Sequence, residues 1–512
     1  MTAMNHRGVY LSELLKDFAA VEAEQNMQIS GIEMDSRNVH QGDCFIAVNG
    51  EHANGIDFIP DAICKGAAAV LVDTNDAELI RKYLETETSP WNIIFVDQLD
   101  VKAGQIVHRY YGQPTEFMKM IGVTGTNAKT SVSYFIGQAI DNISGSGTCG
   151  VIGTLGNGLL GEFISSGMTT PDTICLHQSL SRLRDRGAHA TVVEASSHGL
   201  AQHRLSGVEF DVAVFTNLTQ DHLDYHGDMT SYGAAKLELF KSPDLQAAVV
   251  NLDDPFSEKV IDLLREREDE VKITGYTLGK QQYSGIRTIR CSKLKVSANG
   301  LSMDIDTPEG SNILKTSLLG RFNASNLLAA LGALMACGFR LNDALQALAE
   351  VQGVPGRMEA FVQKNQAAVI VDFAHTPDSL SKTLETLKEI CKGKLWCVFG
   401  CGGDRDKSKR ALMGAAAELH ADQVIITDDN PRSEEPSIIA SRILSGMKKP
   451  VNAKVILDRK VAIETAIREA APKDIILVAG KGHEDWQEIK GQKFSFNDRN
   501  VVLNLIGKGS EK

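Results

Sequence analysis

Short apolar runs alternate with helical stretches along most of the chain, and each run ends in glycine or polar residues. Apolar runs of about five residues bounded by turn residues are typical of strands buried on both faces. Their alternation with helices predicts an α/β fold built on parallel, doubly wound sheets. The predicted strands are 44–48, 67–72, 93–96, 118–123, 190–194, 212–216, 247–251, 367–373, 395–400, 423–427 and 474–479.

The pattern breaks at 110–114, where Tyr-Tyr-Gly-Gln-Pro interrupts it, and again near Gly353. A chain of 512 residues is expected to form roughly two to four domains, each with its own core. We predict a small N-terminal α/β domain (1–112), a central P-loop domain with a doubly wound, mostly parallel sheet (113–351), and a C-terminal Rossmann-like α/β domain (352–512).

Composition narrows the class of protein. The net charge is −12 and no basic tract stands out, which argues against a nucleic-acid partner. No apolar run is long enough to span a membrane, and the first 14 residues lack the apolar core of a signal peptide. The nine cysteines have no disulfide-scaffold spacing. We therefore expect reduced, mostly buried thiols and a cytoplasmic location.

The segment 124–131, Thr-Gly-Thr-Asn-Ala-Lys-Thr-Ser, joins a predicted strand to a predicted helix. Such a turn holds nucleotide phosphates on backbone N–H groups, with Lys129 on the outer phosphates and the Thr130 hydroxyl on magnesium. The general P-loop has glycine where this chain has Val123 and Ala128. An ordinary strand-to-helix turn is the alternative. The predicted ATP-binding residues here are Gly125, Thr126, Asn127, Ala128, Lys129, Thr130 and Ser131.

Charged side chains also follow other strands of the central region. Glu194 ends one predicted strand, where its carboxylate could hold magnesium beside the phosphate loop; its alternative is an acid at a helix N-terminus. The segment 217–226 holds His222 and His226 with two aspartates, which suits a hard cation or a phosphate better than zinc. For either histidine alone, a structural role is the alternative.

Lys236 shares a helical stripe with Tyr232 and Phe240. A lysine held among apolar residues tends to lose its proton, and a neutral amine takes up carbon dioxide to form a carbamate that could bind a metal. The alternative is a lysine whose stem packs while its ammonium stays in water.

The C-terminal region offers two further groups at strand ends. Arg357, Asp372 and His375 could bind phosphate, ribose and base, with surface ion pairs as the alternative. The loops 403–405, 429–432 and 480–484 combine guanidinium groups with carboxylates. That combination suits a zwitterionic amino-acid end, because arginine forks onto carboxylate while acids hold ammonium.

These motifs, in this order and over almost the whole chain, resemble those of the Mur ligase family. No single motif would be specific, but the combination is. The residues that carry the resemblance are Asp35-Ser36-Arg37, the phosphate loop, Thr169 to Asp172, Glu194 to His198, Asn217 to His226, Ala235-Lys236, Gly356 to Glu359, Ala374 to Pro377 and Asp429 to Arg432.

The resemblance implies that the first domain binds the uridine end of a substrate through Ser36, that the central domain binds ATP, and that the third supplies an amino-acid pocket. Lys129 and Thr130 match phosphate and magnesium contacts, Glu194 and His222 match metal ligands, and Lys236 matches a carbamylated lysine. Contacts to the sugar–peptide substrate match Thr169, Thr170, Ser196, Gln202 and Arg204. Nucleotide contacts match Asn323, Arg357 and His375.

The resemblance also implies an activity, ATP-driven amide formation through an acyl phosphate in peptidoglycan synthesis. The implied substrates are UDP-N-acetylmuramoyl-L-Ala-D-Glu and meso-diaminopimelate, with ATP and Mg²⁺ and a monomeric enzyme. The motif 429–432 resembles the diaminopimelate-adding branch. L-Lys lacks the distal carboxylate and would leave Arg405 and Arg432 without a partner. The pocket residues implied are Arg405, Asp429, Asn430, Arg432, Gly480 and Glu484.

Three alternatives stay open at this point. They are the same ligase adding L-Lys, a folylpolyglutamate-type ligase, and a non-catalytic nucleotide-binding relative marked by Ala128. The non-catalytic alternative depends on the backbone conformation of Ala128. Alanine costs little at negative φ, whereas a positive φ at this position would lower the affinity for ATP. We expect an active enzyme, because the other catalytic positions match.

Overall fold

A computed structural model describes residues 8–50, 53–78, 80, 92–267, 270–297, 300–363 and 365–507. Residues 1–7, on which the expectation about a signal peptide partly depends, lie outside this range. The described chain forms two compact units, one of Met1–Thr124, Ser144–Ala213 and Ala234–Ala247, the other of Gly125–Ile143, Val214–Gly233 and Ala248–Lys512.

The described α-helices are α1 (Leu11–Leu14), α2 (Ile59–Cys64), α3 (Leu99–Tyr110), α4 (Lys129–Ser144), α5 (Thr173–Asp185), α6 (Ser197–Ala201), α7 (Leu223–His226), α8 (Met229–Leu237), α9 (Ser257–Arg265), α10 (Arg321–Ala336), α11 (Leu341–Ala349), α12 (Pro377–Ile390), α13 (Lys409–His420), α14 (Pro436–Leu444), α15 (Arg459–Glu469) and α16 (Asp498–Gly507).

The described strands are β1 (Val9–Tyr10), β2 (Gln28–Ile29), β3 (Gly31–Glu33), β4 (Asp43–Ile46), β5 (Ala69–Asp73), β6 (Ile93–Val96), β7 (Lys119–Thr124), β8 (Cys149–Gly153), β9 (Gly156–Leu159), β10 (Ala190–Glu194), β11 (Val212–Phe215), β12 (Ala247–Asn251), β13 (Lys272–Thr277), β14 (Arg287–Ser297), β15 (Gly300–Thr307), β16 (Gly310–Thr316), β17 (Glu359–Phe361), β18 (Ala368–Asp372), β19 (Leu395–Phe399), β20 (Gln423–Ile426), β21 (Ala453–Val455), β22 (Ile475–Ala479), β23 (Trp486–Ile489) and β24 (Gln492–Ser495).

In the first unit, β3, β4, β5 and β6 form a parallel sheet in that order. A second group runs β7-β10-β8-β9, where β10 pairs in parallel with both neighbours and β9 is antiparallel. All five residues of β10 are buried, as expected for a central parallel strand covered on both faces. Because β7 and β10 pair in parallel, the carboxyl ends of these two strands lie at the same edge of the sheet.

In the second unit, one sheet has the order β17-β18-β22-β19-β20-β21, with only β17 antiparallel. Alternate side chains of β18 enter two different cores: Ile370 packs with Leu380 and Leu384, and Val369 packs with Ile463 and other residues on the opposite face. The carboxyl ends of these strands therefore share one edge, where ligands gather in such sheets.

The strands predicted at 190–194 and 247–251 are confirmed with the same bounds. The antiparallel strands β14, β15 and β16 were not predicted. None of the nine cysteines is in a disulfide, and five are buried. Among the described helices, none combines the length and apolar character needed to cross a membrane.

Candidate active site

The phosphate loop between β7 and α4 is held by the chain that follows β11. The backbone N–H of Thr126 donates to the Asn217 carbonyl oxygen at 2.8 Å, and that of Asn127 donates to Asn217 Oδ1 at 2.9 Å. The Thr216 hydroxyl donates to the Asn127 carbonyl oxygen at 2.7 Å. The loop conformation therefore depends on a second strand end as well as on its own sequence.

Two loop residues have positive φ, Gly125 at +145° and Ala128 at +73°. A Cβ at Gly125 would lie 1.9 Å from Thr216 Oγ1, so this close approach requires glycine. For an alanine, the left-handed region costs about 1–2 kcal/mol. Residue 128 thus uses the conformation that favours glycine, and the loop is strained at Ala128.

Lys129, the first residue of α4, folds its ammonium back over the loop. Its Nζ donates to the carbonyl oxygens of Gly125 at 2.8 Å and Thr126 at 3.0 Å. Thr130 and Ser131, which follow it, are buried. A lysine ammonium at the N-terminus of a 16-residue helix suits an anion such as a phosphate.

Two further contacts extend from the loop. The Tyr232 hydroxyl donates to Thr126 Oγ1 at 3.1 Å, and burial raises the pKa of this phenol. Asn127 Nδ2 donates to Asp378 Oδ2 at 3.4 Å, and Lys382 Nζ binds the same carboxylate at 2.9 Å. Because Asp378 lies in the first turn of α12, the loop is in contact with the C-terminal region.

Arg357 and His375, predicted to contact nucleotide, both pack on Phe373. The Arg357 guanidinium carbon lies 4.3 Å from the ring centroid, and the His375 ring lies 4.6 Å from it. Burial, with the positive charge of Lys409, lowers the pKa of His375 to about 4, so the ring is neutral near neutral pH. Asn323 lies on a separate element, α10, and donates to the carbonyl oxygen four residues before it.

His222 adopts φ +53° and lies against Asp221. Its backbone N–H donates to Asp221 Oδ1 at 3.0 Å, and its Nε2 lies 3.5 Å from Oδ2. Burial alone would raise the pKa of Asp221, but His222, His375 and Lys409 lower it further than burial raises it. An ionised carboxylate therefore orients a half-exposed imidazole.

Glu194, in the first unit, ends β10 with its side chain buried. Thr154 donates to it twice, from its N–H to Oε1 at 2.9 Å and from its hydroxyl to Oε2 at 3.0 Å. The Thr154 hydroxyl also lies 3.2 Å from that of Thr169. A Cβ at Gly153 would lie 2.1 Å from Glu194 Oε1, so glycine leaves the space for this carboxylate.

The predicted sugar–peptide contacts form one connected cluster beside Glu194. The Thr170 hydroxyl donates to the Glu194 carbonyl oxygen at 2.5 Å and accepts from the Ser196 N–H at 2.9 Å. Arg204 Nη1 donates to the Thr170 carbonyl oxygen at 2.8 Å, and its Nε donates to Gln202 Oε1 at 2.9 Å. The structure therefore brings together residues that lie far apart in the sequence.

Ser36 is buried in a turn after β3, where its carbonyl oxygen accepts from Lys65 Nζ at 2.9 Å. Burial, with the negative charges of Asp43 and Asp172, raises the pKa of nearby Glu33 to about 7. Asp172 belongs to the predicted substrate segment 169–172. An electrostatic interaction between Glu33 and Asp172 thus links β3 with the predicted substrate segment within this unit.

Lys236 is 1% exposed, and Phe240 is fully buried. The alternative of a packed stem with a solvated ammonium is therefore wrong: the whole side chain lies inside. A buried amine needs a charge partner or a chemical change, since desolvation disfavours a bare ammonium.

The fit to magnesium rests on the chemistry of the donors. Among the described residues, no group of three or more His, Cys, Asp or Glu side chains is arranged to hold a metal. The Thr130 hydroxyl and Glu194 carboxylate are buried oxygen donors, the type that Mg²⁺ prefers. A carbamate on Lys236 would supply two more oxygens of this type.

Three loops of the C-terminal sheet meet as predicted. The Gly403 N–H donates to the Asn430 carbonyl oxygen at 2.9 Å, and Asn430 Nδ2 donates to Glu484 Oε2 at 3.0 Å. Arg432 Nη1 donates to the Gly403 carbonyl oxygen at 2.8 Å. These loops follow β19, β20 and β22, so the parallel topology alone brings them to one edge.

The two arginines of the predicted pocket differ in burial and in ion pairing. Arg432 Nε lies 3.2 Å from Glu488 Oε2, with both side chains largely buried, so this pair is not a solvated surface pair. Arg405 is exposed and makes no hydrogen bond or ion pair within the described part of the chain. Asp429 is buried, and a Cβ on Gly480 would lie 2.6 Å from its Oδ2.

Residue-level reasoning missed the groups behind this pocket. Lys481 is fully buried against the pocket loops, and Arg410 and Arg459 are fully buried in ion pairs with Glu434 and Asp498. The two arginines sit in the first turns of helices and look like surface residues in the sequence. The only signal for Lys481 was its place between two glycines after a strand.

Comparison with known proteins agrees with this geometry. Family models match residues 28–111 (Mur ligase family, catalytic domain), 123–334 (Mur ligase middle domain) and 356–482 (Mur ligase, glutamate ligase domain). The chain is 44% identical over 491 residues to UDP-N-acetylmuramoyl-L-alanyl-D-glutamate–2,6-diaminopimelate ligase of Coxiella burnetii, covering 96% of this chain and 98% of that relative.

Solved structures show the same likeness. A structure of UDP-N-acetylmuramoyl-L-alanyl-D-glutamate–2,6-diaminopimelate ligase superposes with a TM-score of 0.71 at 35% identity, covering 99% of this chain and 100% of that one. The MurF ligase of Thermotoga maritima in complex with ADP gives 0.59 at 18% identity, covering 93% and 97%, which shows the fold alone. The fold and these likenesses define an α/β enzyme of the ligase class. The chain belongs to the Mur ligase family.

Proposed function

We propose that this enzyme adds meso-diaminopimelate to the D-Glu carboxylate of UDP-N-acetylmuramoyl-L-Ala-D-Glu, with ATP as the energy source, in peptidoglycan synthesis. The name of the Coxiella burnetii relative, at 44% identity over nearly the full chain, supports this reaction. The observation that carries the proposal is the meeting of the Gly403, Asn430 and Glu484 loops at one sheet edge.

The choice of amino acid follows from the charges in this pocket. Arg432 and Arg405 are proposed to bind the distal carboxylate of diaminopimelate, while Asp429 and Glu484 receive ammonium groups. Asn430 and Gly480 complete the proposed pocket. L-Lys would leave Arg405 without an anion and Arg432 with Glu488 alone. A site built around a polar group rejects an analogue lacking it by about 10⁴-fold.

ATP is proposed to bind at the phosphate loop, residues 125–131, with Asn323, Arg357 and His375 on the nucleoside. The inward ammonium of Lys129, the buried Thr130 hydroxyl and the neutral His375 ring support this. ADP in the structure of the MurF relative is a further support.

The chemistry needs an activated carboxylate, because carboxylate oxygen is a poor leaving group. The D-Glu carboxylate attacks the γ-phosphorus of ATP and releases ADP, giving an acyl phosphate. The amine of diaminopimelate then attacks the acyl carbon, loses a proton, and expels phosphate. Lys129 offsets negative charge on the transferred phosphoryl group, and the protein otherwise acts by positioning.

The proposed magnesium ligands are Thr130, Glu194, His222 and a carbamylated Lys236. Bound Mg²⁺ would neutralise phosphate charge. The burial of Lys236 supports the carbamate, because a lysine held inside the protein tends to lose its proton and a neutral amine can take up carbon dioxide. Carbon-13 NMR after growth in labelled bicarbonate should show a carbamate signal that Lys236→Arg lacks. A signal unchanged in that variant would contradict the assignment.

The remaining proposals concern the other substrate and the organisation of the chain. Ser36, Thr169, Thr170, Ser196, Gln202 and Arg204 are proposed to bind the UDP-linked dipeptide. The proposed domains are 1–112, 113–351 and 352–512. We further propose a monomer in the cytoplasm, in keeping with cysteines that are all free.

The test is phosphate release from ATP and Mg²⁺ in the presence of the UDP-linked dipeptide. Parallel reactions contain meso-diaminopimelate, L-Lys or no amino acid. Release that depends on meso-diaminopimelate is the expected result. Release that depends on L-Lys instead would keep the ligase chemistry and overturn the pocket assignment. No release from folded protein in any reaction would overturn the proposed function and favour a non-catalytic nucleotide-binding role.

A further inference from the structure

Lys481 is a fully buried lysine in the loop that follows β22. Its Nζ donates to Asn430 Oδ1 at 3.0 Å and to Glu484 Oε2 at 2.7 Å. The same nitrogen lies 5.5 Å from the centroid of the Trp486 ring. The ammonium therefore binds two proposed pocket residues at once, although its own position in the sequence suggests no such role.

These contacts fix the orientation of the Asn430 amide. Its Oδ1 accepts from both Lys481 Nζ and the Glu488 N–H, each at 3.0 Å. The amide nitrogen must then point the other way, and it donates to Glu484 Oε2. Oε2 thus receives two donors, and Oε1 accepts no hydrogen bond from the described residues. One carboxylate oxygen remains for a ligand donor.

Cations from two elements of the structure act on Glu484. Lys481 lies in its own loop, and Arg459, at the start of α15, acts electrostatically on both Glu484 and Asp429. Arg459 is itself engaged by Asp498 at 2.7 Å. Among the residues that the structure describes, Lys481 is the cation in direct contact with Glu484. Without it, Oε2 of this half-buried carboxylate would lose one of its two donors, and the Asn430 amide would lose a contact that fixes its orientation.

We infer that Lys481 is a positioning residue for the amino-acid substrate: its two hydrogen bonds hold the Glu484 carboxylate and the Asn430 amide in the orientation that binds an ammonium group of the amino acid. It contacts no reacting atom. The inference rests on the proposed function and adds to it, because Lys481 sets which end of the amino acid this pocket accepts.

The test compares wild type, Lys481→Met and Lys493→Met. Lys493 is the matched control, since its Nζ lies 4.3 Å from the same Trp486 ring on an exposed side chain. For each protein, phosphate release gives kcat and the KM values for meso-diaminopimelate, ATP and the UDP-linked dipeptide.

The expected result for Lys481→Met is a rise of about 30-fold or more in KM for meso-diaminopimelate. The KM values for ATP and the dipeptide should stay within about twofold, the scatter tolerated between independent sites. Lys493→Met should behave like wild type.

Loss of folding is addressed by a double variant. In Lys481→Met/Glu484→Gln the buried charge is removed together with its partner, so this protein should recover stability without recovering affinity for meso-diaminopimelate. Equal changes in all three KM values would overturn the inference and leave Lys481 a structural residue. Wild type with no amino-acid-dependent release would overturn the proposed function and the inference with it.

Discussion

The guanidinium group of Arg410 is fully buried and forms a two-pronged ion pair with Glu434, with Nη2 to Oε1 at 2.7 Å and Nη1 to Oε2 at 2.9 Å. Arg410 also donates to the Gly402 carbonyl oxygen at 3.0 Å, and Glu434 accepts from the Asp404 N–H at 2.8 Å. The pair therefore joins two loops of the proposed amino-acid pocket, one after β19 and one after β20.

Glu434→Gln should destabilise the protein in a pH-dependent way. Hydrogen bonding from Arg410 lowers the pKa of Glu434 from 4.5 to about 2. The contribution of Glu434 to the free energy of unfolding is therefore complete above the pKa that this group has in the unfolded chain. It is lost as pH falls towards the pKa that Glu434 has in the folded protein. Near neutral pH the variant should lose about 3 kcal/mol of unfolding free energy, because an arginine remains buried without its charge partner.

Urea unfolding of both proteins at a series of pH values provides the measurement, with Glu435→Gln as the control. Glu435 is the exposed neighbour of Glu434, and its change should cost little. The difference in unfolding free energy between wild type and Glu434→Gln should narrow as pH falls below about 4. A gap independent of pH would show that the charge of Glu434 contributes nothing.

Ala128→Gly should stabilise the protein, because Ala128 has φ +73°. Glycine removes the left-handed strain of about 1–2 kcal/mol but adds entropy to the unfolded chain. A net gain of about 0.5–1 kcal/mol is expected. ATP binding, measured by calorimetry, should be detectable in wild type and at least as tight in the variant.

Ala415→Gly is the control for this substitution. Ala415 is exposed in the middle of α13, where glycine should cost about 1 kcal/mol. The two alanine-to-glycine changes should therefore shift stability in opposite directions. Wild type without detectable ATP binding, restored in Ala128→Gly, would contradict our view that the enzyme is active with alanine in its phosphate loop.

Arg432→Lys should lower kcat/KM for meso-diaminopimelate by about 100-fold or more, because an ammonium cannot reproduce the planar fork of a guanidinium. The effect on KM for ATP should be small. Arg442→Lys, on the exposed face of α14, is the matched control. A variant that keeps wild-type use of meso-diaminopimelate would exclude Arg432 from carboxylate recognition.

Two buried histidines should make the first unit sensitive to acid. His177 and His108 lie with ring centroids 5.2 Å apart, and burial lowers their pKa values to about 3 and about 4 from an unperturbed 6.5. Below about pH 6.5 the unfolded chain binds protons that the folded chain does not. The free energy of unfolding should therefore fall by up to ~1.4 kcal/mol per pH unit for each histidine.

His177→Gln should make the free energy of unfolding depend less steeply on pH between about pH 6.5 and 4. The reduction should correspond to about one proton fewer taken up on unfolding. In the wild type, Nδ1 of His177 makes no hydrogen bond within the described residues, so the buried ring loses little by being neutral. His40→Gln, at a side chain that is 85% exposed, should leave the slope unchanged. An unchanged slope in His177→Gln would mean that this histidine is protonated in the folded protein.

Much of the fold could be predicted from local pattern. The strands at 190–194 and 247–251 were predicted with the observed bounds, because parallel strands buried on both faces are continuous apolar runs. The antiparallel strands β14, β15 and β16 were missed. Their mixed polar and apolar residues form no such run: β14 carries exposed residues along most of its length.

The candidate site divides in the same way. Strand-end positions predicted which segments would meet, such as the loops around Gly403, Asn430 and Glu484. The conformation of Ala128 could not be read from the segment itself, since the loop is held by hydrogen bonds to Asn217.

The sequence by itself determined the α/β class, the order of the motifs and the residue types available for phosphate, metal and amino-acid binding. These features depend on local periodicity and on the rule that parallel strands end at a common edge. Only the tertiary structure decided the charge partners: which arginines pair with Glu434 and Asp498, and that Lys481 binds Asn430 and Glu484. Burial and charge compensation depend on neighbours distant in the sequence, and no local pattern specifies them.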